Sequence, residues 1–387
     1  MNYIIFVTSF FTVSYSILIV YYNCGFIKNK SKDINLEKQK ANQVILKKTN
    51  QVIPPTITLL VVCRNEEDYL PQLLNSIENQ IVLPTKIILI NDHSTDKTED
   101  LLSSFAAKYN NVVIHKANGL GKKQGIKEGL QFVDTDYIMF TDADCILSKS
   151  HCKIAFDFLS KNNSDMLIGG VNLYGDKSIF LDMQKIEYAS LQSSTAGSAL
   201  NHSSIMCNGA NLVVRSSEYI NRINDINFKE NSGDDMFILH SMKRDNKKIE
   251  YIIDSEYIVY TRASKSISEF INQRLRWASK SYSYNDLFTT LSAINIATIN
   301  IVIILLILIS IFNSAYLYLL LVIFIIKCIV DLSLIATYEN RLNIIFTQNK
   351  FILFLLTTIL YPFYSSIIAI TSLFYRLLGK HKSPHWR

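Results

Sequence analysis

The sequence predicts an α/β domain with a mostly parallel sheet, joined to membrane-spanning helices at its N-terminal and C-terminal ends. Between residues 56 and 263, short apolar segments of strand character alternate with amphipathic segments of helical spacing. This alternation is typical of a parallel sheet with helices on both faces. Long stretches without charge lie near both termini, and 49% of the 387 residues are hydrophobic. With a positive mean hydropathy, this composition favours one soluble domain plus membrane segments over two soluble domains.

The N-terminal segment, residues 1–24, is predicted to be a membrane helix. Residues 3–22 carry no charge, and twenty such residues are enough to span a bilayer as a helix. A cleaved signal peptide fits less well, because no basic region precedes the stretch and no small-residue cleavage site follows it. Residues 25–55 are interpreted as a basic linker with little structure, since seven lysines lie between Lys28 and Lys48. By the positive-inside rule, these lysines place the following domain in the cytoplasm.

Residues 56–263 form the predicted α/β domain. Its first part contains four predicted strands, residues 57–63, 86–92, 111–117 and 136–142, and three predicted helices, residues 68–80, 98–109 and 123–133. Polar residues follow each strand, in the segments CRNEE, NDHSTD, HKANGLGK and TDAD. Ligands of such sheets bind beyond the carboxyl ends of the strands, so these four segments are expected to meet in one crevice.

Two carboxylates, Asp142 and Asp144, come after the fourth predicted strand in the segment TDAD. On an extended segment, residues i and i+2 point to the same side, so the two side chains would repel each other unless a cation lay between them. A hard divalent ion bridging to diphosphate oxygens would satisfy both, because magnesium is typically held by one or two carboxylates plus substrate phosphates. The pair therefore predicts a metal and diphosphate site, although Asp is also a common cap in strand-end turns.

Seven ordered segments resemble those of membrane-bound, inverting family 2 glycosyltransferases. They are CRNEE, NDHSTD, GLGKKQG, TDAD, CNGANLVVR, SGDDMFIL and QRLRW, and the resemblance extends over about residues 56–280. It implies a GT-A nucleotide-sugar-binding fold, a UDP-sugar donor and a Mg²⁺ or Mn²⁺ cofactor. In this family pattern the first acid, Asp142, meets the ribose of the nucleotide and the second, Asp144, the metal. Both aspartates would hold the ion, which neutralises the charge that grows on the leaving diphosphate.

The same resemblance assigns further residues to the nucleotide sugar. Glu66 and Asp92 would contact the uracil and the ribose, with Arg64 beside them, and Lys122 would reach the diphosphate. Lys123 is the neighbouring alternative for the last role. Considered by themselves, Glu66 and Asp92 could also be ordinary loop-capping acids.

The segment SGDDMFIL is predicted to supply the general base. Asp234 and Asp235 precede an apolar helical run, and in the family pattern the second acid is the base. The family more often has Glu before this Asp, so Asp234 is a departure from the pattern. A base on the acceptor side implies direct displacement with inversion at the anomeric carbon. Gly209 and Asn211 match a segment that lines the sugar and acceptor site in the family, where Gly209 would allow close approach of the backbone.

Residues 264–290 are predicted to contain an amphipathic helix with the motif Q-x-x-R-W. In the family this motif, here Gln273, Arg276 and Trp277, closes over the donor diphosphate and the acceptor. Trp offers a flat face to a sugar ring, and Arg offers a fork for phosphate. The alternative is an interfacial helix whose Trp and Arg anchor among lipid headgroups. A second amphipathic segment, residues 178–192, is expected either to rest on the bilayer or to pack against the protein.

The C-terminal membrane region, residues 291–387, contains three further apolar stretches and a basic tail. The stretches cover residues 294–312, 316–337 and 351–375. Lys327 and Asp331 lie four residues apart, and we expect an internal ion pair rather than a contact with a polar substrate. Pro362 interrupts the third stretch, so we expect that stretch to bend back or to lie along the surface. That path would keep the basic tail in the cytoplasm.

These features predict an integral protein of the cell inner membrane with a cytoplasmic catalytic domain. The predicted reaction moves a hexosyl or N-acetylhexosaminyl group from a UDP-sugar to a lipid, lipid-linked or glycan acceptor. A processive polysaccharide synthase is the alternative, less favoured because three or four helices leave a monomer little with which to build a pore. A non-catalytic membrane scaffold is less expected still, since Asp142, Asp144, Asp235 and the complete Q-x-x-R-W motif are present.

No nucleic-acid partner is expected, because the lysine-rich segment directly follows an apolar one. The six cysteines have no paired metal-binding spacing. We expect them to be reduced thiols, as is usual for a cytoplasmic domain and for membrane helices.

Overall fold

The computed structural model describes residues 2–43, 54–226, 233–281, 285–345 and 347–377. These residues divide into two units. The sheet unit comprises the described parts of residues 32–174 and 206–262, and the helical unit those of residues 2–31, 175–205 and 263–377.

The first helix, α1 (Asn2–Gln43), begins in the predicted N-terminal membrane segment and continues beyond it. The basic linker expected at residues 25–55 is therefore helical as far as Gln43, which differs from the prediction. Lysine is the most frequent residue from 25 to 43 and has high helix propensity, so charge alone did not predict loss of structure. Residues 44–53 of that segment lie outside the described residues.

Four parallel strands form one half of the main sheet: β1 (Ile57–Cys63), β2 (Lys86–Asn91), β3 (Val112–Lys116) and β4 (Tyr137–Phe140). The helices between them are α2 (Leu70–Glu78), α3 (Thr98–Ala106) and α4 (Lys122–Gly129). Every residue of β1 and β4 is buried. Strands of a parallel sheet are covered on both faces, which explains why these segments are continuously apolar. The predicted strands and helices of this half are confirmed.

The second half of the sheet introduces one antiparallel strand. It consists of β5 (Met166–Gly169), β7 (Leu212–Arg215) and β8 (Ile249–Ile252), and the whole sheet has the order β3-β2-β1-β4-β7-β5-β8. Only β7 runs antiparallel, to β4 and β5, among the strands that the described residues contain. Two further strands, β6 (Val171–Tyr174) and β9 (Val259–Arg262), form a separate parallel sheet. The predicted mostly parallel α/β fold is confirmed.

The remaining helices of the sheet unit are α5 (His151–Asn162), α7 (Ser216–Asn221) and α8 (Asp234–Arg244), while α6 (Ile179–Leu200) belongs to the helical unit. The chain adds β2 and β3 on one side of β1 and then returns to place β4 on the other side. Such a reversal of strand order marks the point where open α/β sheets bind ligands. The segments CRNEE and TDAD, which follow β1 and β4, lie at this reversal.

The helical unit also contains α9 (Ile267–Ser281), α10 (Leu287–Phe312), α11 (Ala315–Arg341) and α12 (Gln348–Leu377). Among the described residues, the four helices α1, α10, α11 and α12 are long and apolar enough to cross a membrane, judged by length and composition. The four predicted membrane segments each lie within one of these helices. The six cysteines are unpaired, as expected.

Helix α6 packs within the helical unit. Ile186 forms a buried apolar cluster with Ile335 of α11 and Phe354 of α12. A Cβ atom on Gly197 would lie 2.6 Å from the carbonyl oxygen of Tyr22 on α1, so only glycine allows this close approach of the two helices. These contacts favour the packing alternative for the amphipathic segment 178–192.

Lys327 and Asp331 form the predicted internal ion pair. Their Nζ and Oδ2 atoms are 2.5 Å apart, and the hydroxyl of Tyr15 on α1 donates to Asp331 Oδ1 at 2.5 Å. The ammonium also lies 5.6 Å from the ring centroid of Tyr361 on α12. Pairing of this kind offsets the cost of charges among apolar helices, and the cluster joins three membrane-type helices.

The bend expected at Pro362 is absent, because α12 continues through this residue as one helix. Proline is tolerated inside membrane helices when neighbouring helices and Ser or Thr side chains compensate for the missing hydrogen bond. A path that bends back at Pro362 is therefore wrong, whereas a course along the membrane surface stays a prediction, and the basic tail from residue 378 lies outside the described residues.

Candidate active site

The loops after β1 and β2 interlock at the carboxyl edge of the main sheet. Asn65 and His93 both adopt left-handed backbone conformations, with φ of 54° and 56°, which asparagine and histidine tolerate better than most residues. The amide oxygen of Asn65 accepts the N–H of Thr95 at 2.8 Å, and the N–H of Glu66 donates to Thr98 Oγ1 at 2.8 Å. The segments CRNEE and NDHSTD therefore form one connected surface.

Asp92 anchors the third loop to the first two. Its side chain is fully buried and accepts the N–H of Gly121 at 3.0 Å. Gly121 has φ of 97°, a conformation that favours glycine, and it directly precedes α4. Arg64 Nη1 lies 3.8 Å from Asp92 Oδ2. Arg64, Asp92 and the GLGKKQG segment thus meet as the sequence predicted.

Asp142 and Asp144 lie together, but in a turn rather than on an extended segment. Strand β4 ends at Phe140, and the Cys145 N–H donates to the Asp142 carbonyl at 3.1 Å, which closes the turn. The two carboxylates lie close together as predicted, but the predicted reason, alternation along an extended segment, is wrong. The turn does it instead, because ligand atoms of Asp142, Asp144 and Cys145 lie within 4.8 Å of one another.

Lys122 links this turn to the predicted base. Its Nζ atom lies 2.5 Å from Asp142 Oδ1. Burial alone would lower the pKa of Lys122, but the carboxylates of Asp142, Asp234 and Asp235 raise it above its usual value. The ammonium is therefore charged at neutral pH. Lys123, the alternative, is 5% exposed and lies 5.0 Å from the Phe237 ring centroid, so the geometry favours Lys122 at the crevice.

Asp235 lies in the first turn of α8, which Gly233 introduces with a φ of 88°. Its Oδ2 atom accepts the N–H of Gly209 at 2.9 Å. A Cβ atom on Gly209 would lie 3.7 Å from Lys122 Nζ, so these three residues meet at one point. Asp234 is buried beside them. An N-terminal helix position stabilises an ionised carboxylate, the form that a base requires before it takes a proton.

Asn211 makes structural contacts in addition to the role predicted for it. It is 1% exposed, and its amide donates to the carbonyls of Gly170 at 2.8 Å and Tyr257 at 2.7 Å. The two bonds tie β7 to the segments beside β6 and β9. This geometry gives Asn211 a structural role, and its acceptor-lining role stays a prediction, whereas Gly209 lies against Asp235.

The second sheet brings three residues to the Asp turn that the sequence did not indicate. Thr261 Oγ1 lies 3.3 Å from Asp144 Oδ1, and the Tyr174 hydroxyl donates to the Asp144 carbonyl at 3.1 Å. Arg262 donates to the Tyr69 hydroxyl at 3.0 Å, with its guanidinium 4.7 Å from the ring centroid. No motif surrounds these residues, and the pairing of β6 with β9, together with a bridge between Tyr260 and Ile146, aligns them with the site.

Burial and mutual repulsion destabilise the charged forms of the acids at the crevice. Burial, followed by the nearby Asp144, raises the pKa of Glu66 to about 8. Burial and the nearby Asp142 raise the pKa of Asp144 to about 6. In both cases the Arg262 guanidinium acts in the opposite direction. A divalent cation would lower both pKa values by adding positive charge, so the donor set fits such an ion.

Part of the sequence that forms this site matches a known protein family. Residues 58–219 match the family model described as "Glycosyl transferase family 2". The chain contains a family 2 glycosyltransferase domain. The matched residues include Lys122 and the Asp142–Asp144 turn, whereas Asp235 and Arg262 of the crevice lie beyond them.

Curated relatives align with this domain over part of their length. The poly-beta-1,6-N-acetyl-D-glucosamine synthase of Staphylococcus epidermidis is 25% identical over 191 residues, which cover 49% of this chain and 44% of the relative. The poly(ribitol-phosphate) beta-glucosyltransferase of Bacillus spizizenii is 30% identical over 133 residues, covering 32% and 21%. The crystal structure of S. aureus TarS 1–349 in complex with UDP has a TM-score of 0.44 and 22% identity, covering 63% of this chain and 70% of that one. The chain thus spans less than half the length of these curated relatives.

The Q-x-x-R-W residues of the family 2 pattern lie on α9, in the helical unit. Gln273 Oε1 accepts a hydrogen bond from Arg274 at 2.6 Å, and the Trp277 ring lies 6.3 Å from that of Tyr188 on α6. Gln273, Arg276 and Trp277 are all partly buried. The motif is therefore packed against other helices of its unit rather than fully exposed.

Binding of a divalent ion to the family 2 domain should weaken as the pH falls through about 6. Protonation of Asp144, whose pKa is raised to about 6, competes with the ion, so affinity should fall about tenfold per pH unit below that value. Arg262→Gln removes a cation that lowers this pKa and should move the midpoint to higher pH. Calorimetric titration of the full chain with Mn²⁺ between pH 5 and 8 measures both. An affinity that is constant over this range would contradict the assignment of Asp144 as a ligand.

Proposed function

We propose that the chain is an inverting glycosyltransferase that moves a sugar from a UDP-sugar to an acceptor hydroxyl. The observation that carries the proposal is the meeting of three groups at the strand ends. The Asp142–Asp144 turn, the Lys122 ammonium and Asp235 are joined by contacts of 2.5 Å between Lys122 and Asp142 and 2.9 Å between Gly209 and Asp235. These groups supply, respectively, a cation site, a positive charge for phosphate, and a base.

The donor nucleotide is proposed to bind against the loops after β1 and β2. Glu66 and Asp92 would offer carboxyl oxygens to the uracil and the ribose of the donor. Arg64 lies 3.8 Å from Asp92. Interlocked loops support this role, because a preformed surface loses little entropy on binding. Asp92 also stabilises the loop that contains Gly121, because its side chain is fully buried and accepts the Gly121 N–H.

A divalent cation, Mg²⁺ or Mn²⁺, is proposed to be held by Asp142 and Asp144. It would neutralise the negative charge that develops on the diphosphate as the glycosidic bond breaks. Lys122 would add a second positive charge to the same oxygens by turning from Asp142 to the diphosphate. The raised pKa values of Glu66 and Asp144 support the need for a cation there.

Asp235 is proposed as the general base. It would take the proton of the acceptor hydroxyl as that oxygen attacks the anomeric carbon, and the UDP leaves from the opposite face. One displacement of this kind inverts the anomeric configuration. Asp235 contacts Gly209, which has no side chain, and this supports the proposal that an acceptor fits beside the carboxylate.

The acceptor is proposed to be a lipid or lipid-linked glycan. Four candidate membrane helices in the same chain as the family 2 domain support a substrate held at the bilayer. A polysaccharide synthase is the second candidate, supported by the name of the Staphylococcus epidermidis relative. Purified full-length protein should be incubated with a panel of UDP-sugars, with and without native lipid extract, and the products analysed by mass spectrometry. A single sugar added to a lipid supports the first candidate, a ladder of sugars the second, and no transfer from any donor contradicts both.

The family 2 domain is proposed to face the cytoplasm, with residues 56–263 and the helix within 264–290 acting together in catalysis. Single crossings by α1, α10, α11 and α12 would then leave the tail after Leu377 on the outer side. We therefore expect Ser383→Cys to react with a membrane-impermeant thiol reagent on intact cells. Ser314→Cys, between α10 and α11, should react too, and Lys153→Cys on α5 should not.

The labelling experiment needs a background that lacks the native thiols, because Cys24, Cys207 and Cys328 are only partly buried and could react themselves. Labelling of Lys153→Cys would contradict the cytoplasmic orientation. Labelling of Ser314→Cys without Ser383→Cys would instead show that α12 does not cross, and that the basic tail stays inside as the positive-inside rule suggests.

A further inference from the structure

A buried ion pair joins α9 to α6 inside the helical unit. Arg274 and Glu187 have side chains that are only 7% and 5% exposed. The guanidinium meets the carboxylate through two bonds, from Nε to Oε1 at 2.8 Å and from Nη2 to Oε2. Such a two-bond pairing fixes the plane of the guanidinium as well as its position.

Arg274 also contacts two of the three Q-x-x-R-W residues. Its Nη1 atom donates to Gln273 Oε1 at 2.6 Å. Its guanidinium carbon lies 4.3 Å from the ring centroid of Trp277 and 4.4 Å from that of Phe270, so the cation is held between two aromatic rings of its own helix. Tyr188, the residue after Glu187, lies 6.3 Å from Trp277 between ring centroids. Adjacent residues of α6 therefore hold both Arg274 and Trp277.

Stability alone does not explain this arrangement. Replacing a buried ion pair with apolar residues of similar volume is often neutral or stabilising, because burial of two charges costs about as much as their attraction returns. An apolar pair would join α9 to α6 equally well. It would offer no donor to Gln273 and no planar cation to Trp277, and those two contacts are what the charged pair adds.

We propose that Arg274 and Glu187 are positioning residues that fix Gln273 and Trp277 in the orientation needed for sugar transfer. Arg274 acts through its hydrogen bond to Gln273 and its stacking on Trp277, and Glu187 acts by fixing the guanidinium plane. The inference rests on the proposed function, in which the helix that carries the Q-x-x-R-W motif takes part in catalysis. It adds the residue at the first variable position of that motif and a partner on α6.

The test compares a variant that restores packing with the parent chain. The sequence has two tryptophans, so Trp386→Phe leaves Trp277 as the only indole and makes its fluorescence a direct report. In this background, Arg274→Met leaves Glu187 buried without its partner and should lower the melting temperature. Arg274→Met with Glu187→Met removes both charges and should return the melting temperature to near the parental value.

Positioning predicts that the double variant stays defective although its stability returns. The emission of Trp277 and its quenching by acrylamide should differ from the parent, and kcat should fall about 10²-fold, with a smaller change in KM for the donor. Arg274→Lys, which keeps the charge but loses the planar fork, should show the same direction of change. Arg222→Lys is the matched control, since Arg222 is a similarly buried arginine paired with Glu218 and Asp245 in the sheet unit. It should leave Trp277 emission unchanged.

If Trp277 emission and kcat in the Met double variant, or in Arg274→Lys, equal those of the parent, the proposal is overturned. The ion pair would then serve only to pack α9 against α6. Loss of kcat without any change in Trp277 emission would also overturn it, because the effect would not act through the motif. If the parent chain transfers no sugar from any donor, the proposed function fails. The emission and quenching results still decide whether Arg274 positions Trp277.

Discussion

Asp144→Asn should reduce sugar transfer by about 10³-fold or more, because it removes one of the two carboxylates proposed to hold the divalent cation. The loss should appear in kcat, since the cation stabilises charge that develops only as the diphosphate leaves. Excess chelator should abolish transfer by the unmodified chain, and added Mn²⁺ or Mg²⁺ should restore it. Turnover of a radiolabelled or mass-tagged donor measures each condition.

Asp157→Asn provides the matched control for this change. Asp157 is an exposed aspartate on α5 that pairs with Lys153 one helical turn away, and it lies outside the proposed machinery. An exposed pair of this type contributes little to stability, so transfer should be unaffected. Full activity of the unmodified chain in excess chelator would remove the metal from the proposal, whatever the variant does.

Asp235→Asn should lose transfer by about 10²–10⁴-fold while UDP still binds, because the change removes the base and none of the proposed nucleotide contacts. The asparagine oxygen can still accept the Gly209 N–H that Asp235 accepts at 2.9 Å, so the local structure should persist. Calorimetry with UDP, beside a turnover assay, separates binding from chemistry.

Asp234→Asn is the neighbouring control for the base. Asp234 lies in the same first turn of α8 but is not the proposed base, so its loss should have the smaller effect on turnover. Normal turnover by Asp235→Asn together with an inactive Asp234→Asn would show that the base is the first acid of the segment SGDD. Loss of UDP binding in Asp235→Asn would instead place this residue in the nucleotide site.

Local sequence patterns predicted much of this domain because they act over short distances. A run such as ITLLVVC must be buried on both sides, and only a central strand of a parallel sheet provides that environment. Polar residues placed directly after such strands must then reach one edge of the sheet. For the same reason the positions of Arg64, Glu66, Asp92 and Asp142 at the crevice followed from the order of strands and loops.

Residues that meet across long sequence separations were not predictable in this way. Thr261 reaches Asp144 because β9 pairs with β6 and Tyr260 bridges to Ile146, and Arg274 reaches Glu187 because α9 packs on α6. The choice between Lys122 and Lys123 depended on the rotation of α4 about its axis, which adjacent lysines do not reveal. The sequence also gave no sign that the Asn211 side chain donates to two main-chain carbonyls, because both partners lie far from it in the chain.

The sequence by itself determined the α/β class, the membrane segments, the family 2 pattern and the acids available for catalysis. Each of these depends on composition, periodicity or residues close together in the chain. The tertiary structure alone decided which lysine meets Asp142, how a turn brings Asp144 to its partner, and which arginine holds Trp277. Those choices depend on packing between distant segments, where burial and electrostatic pairing select one arrangement among several that the local sequence allows.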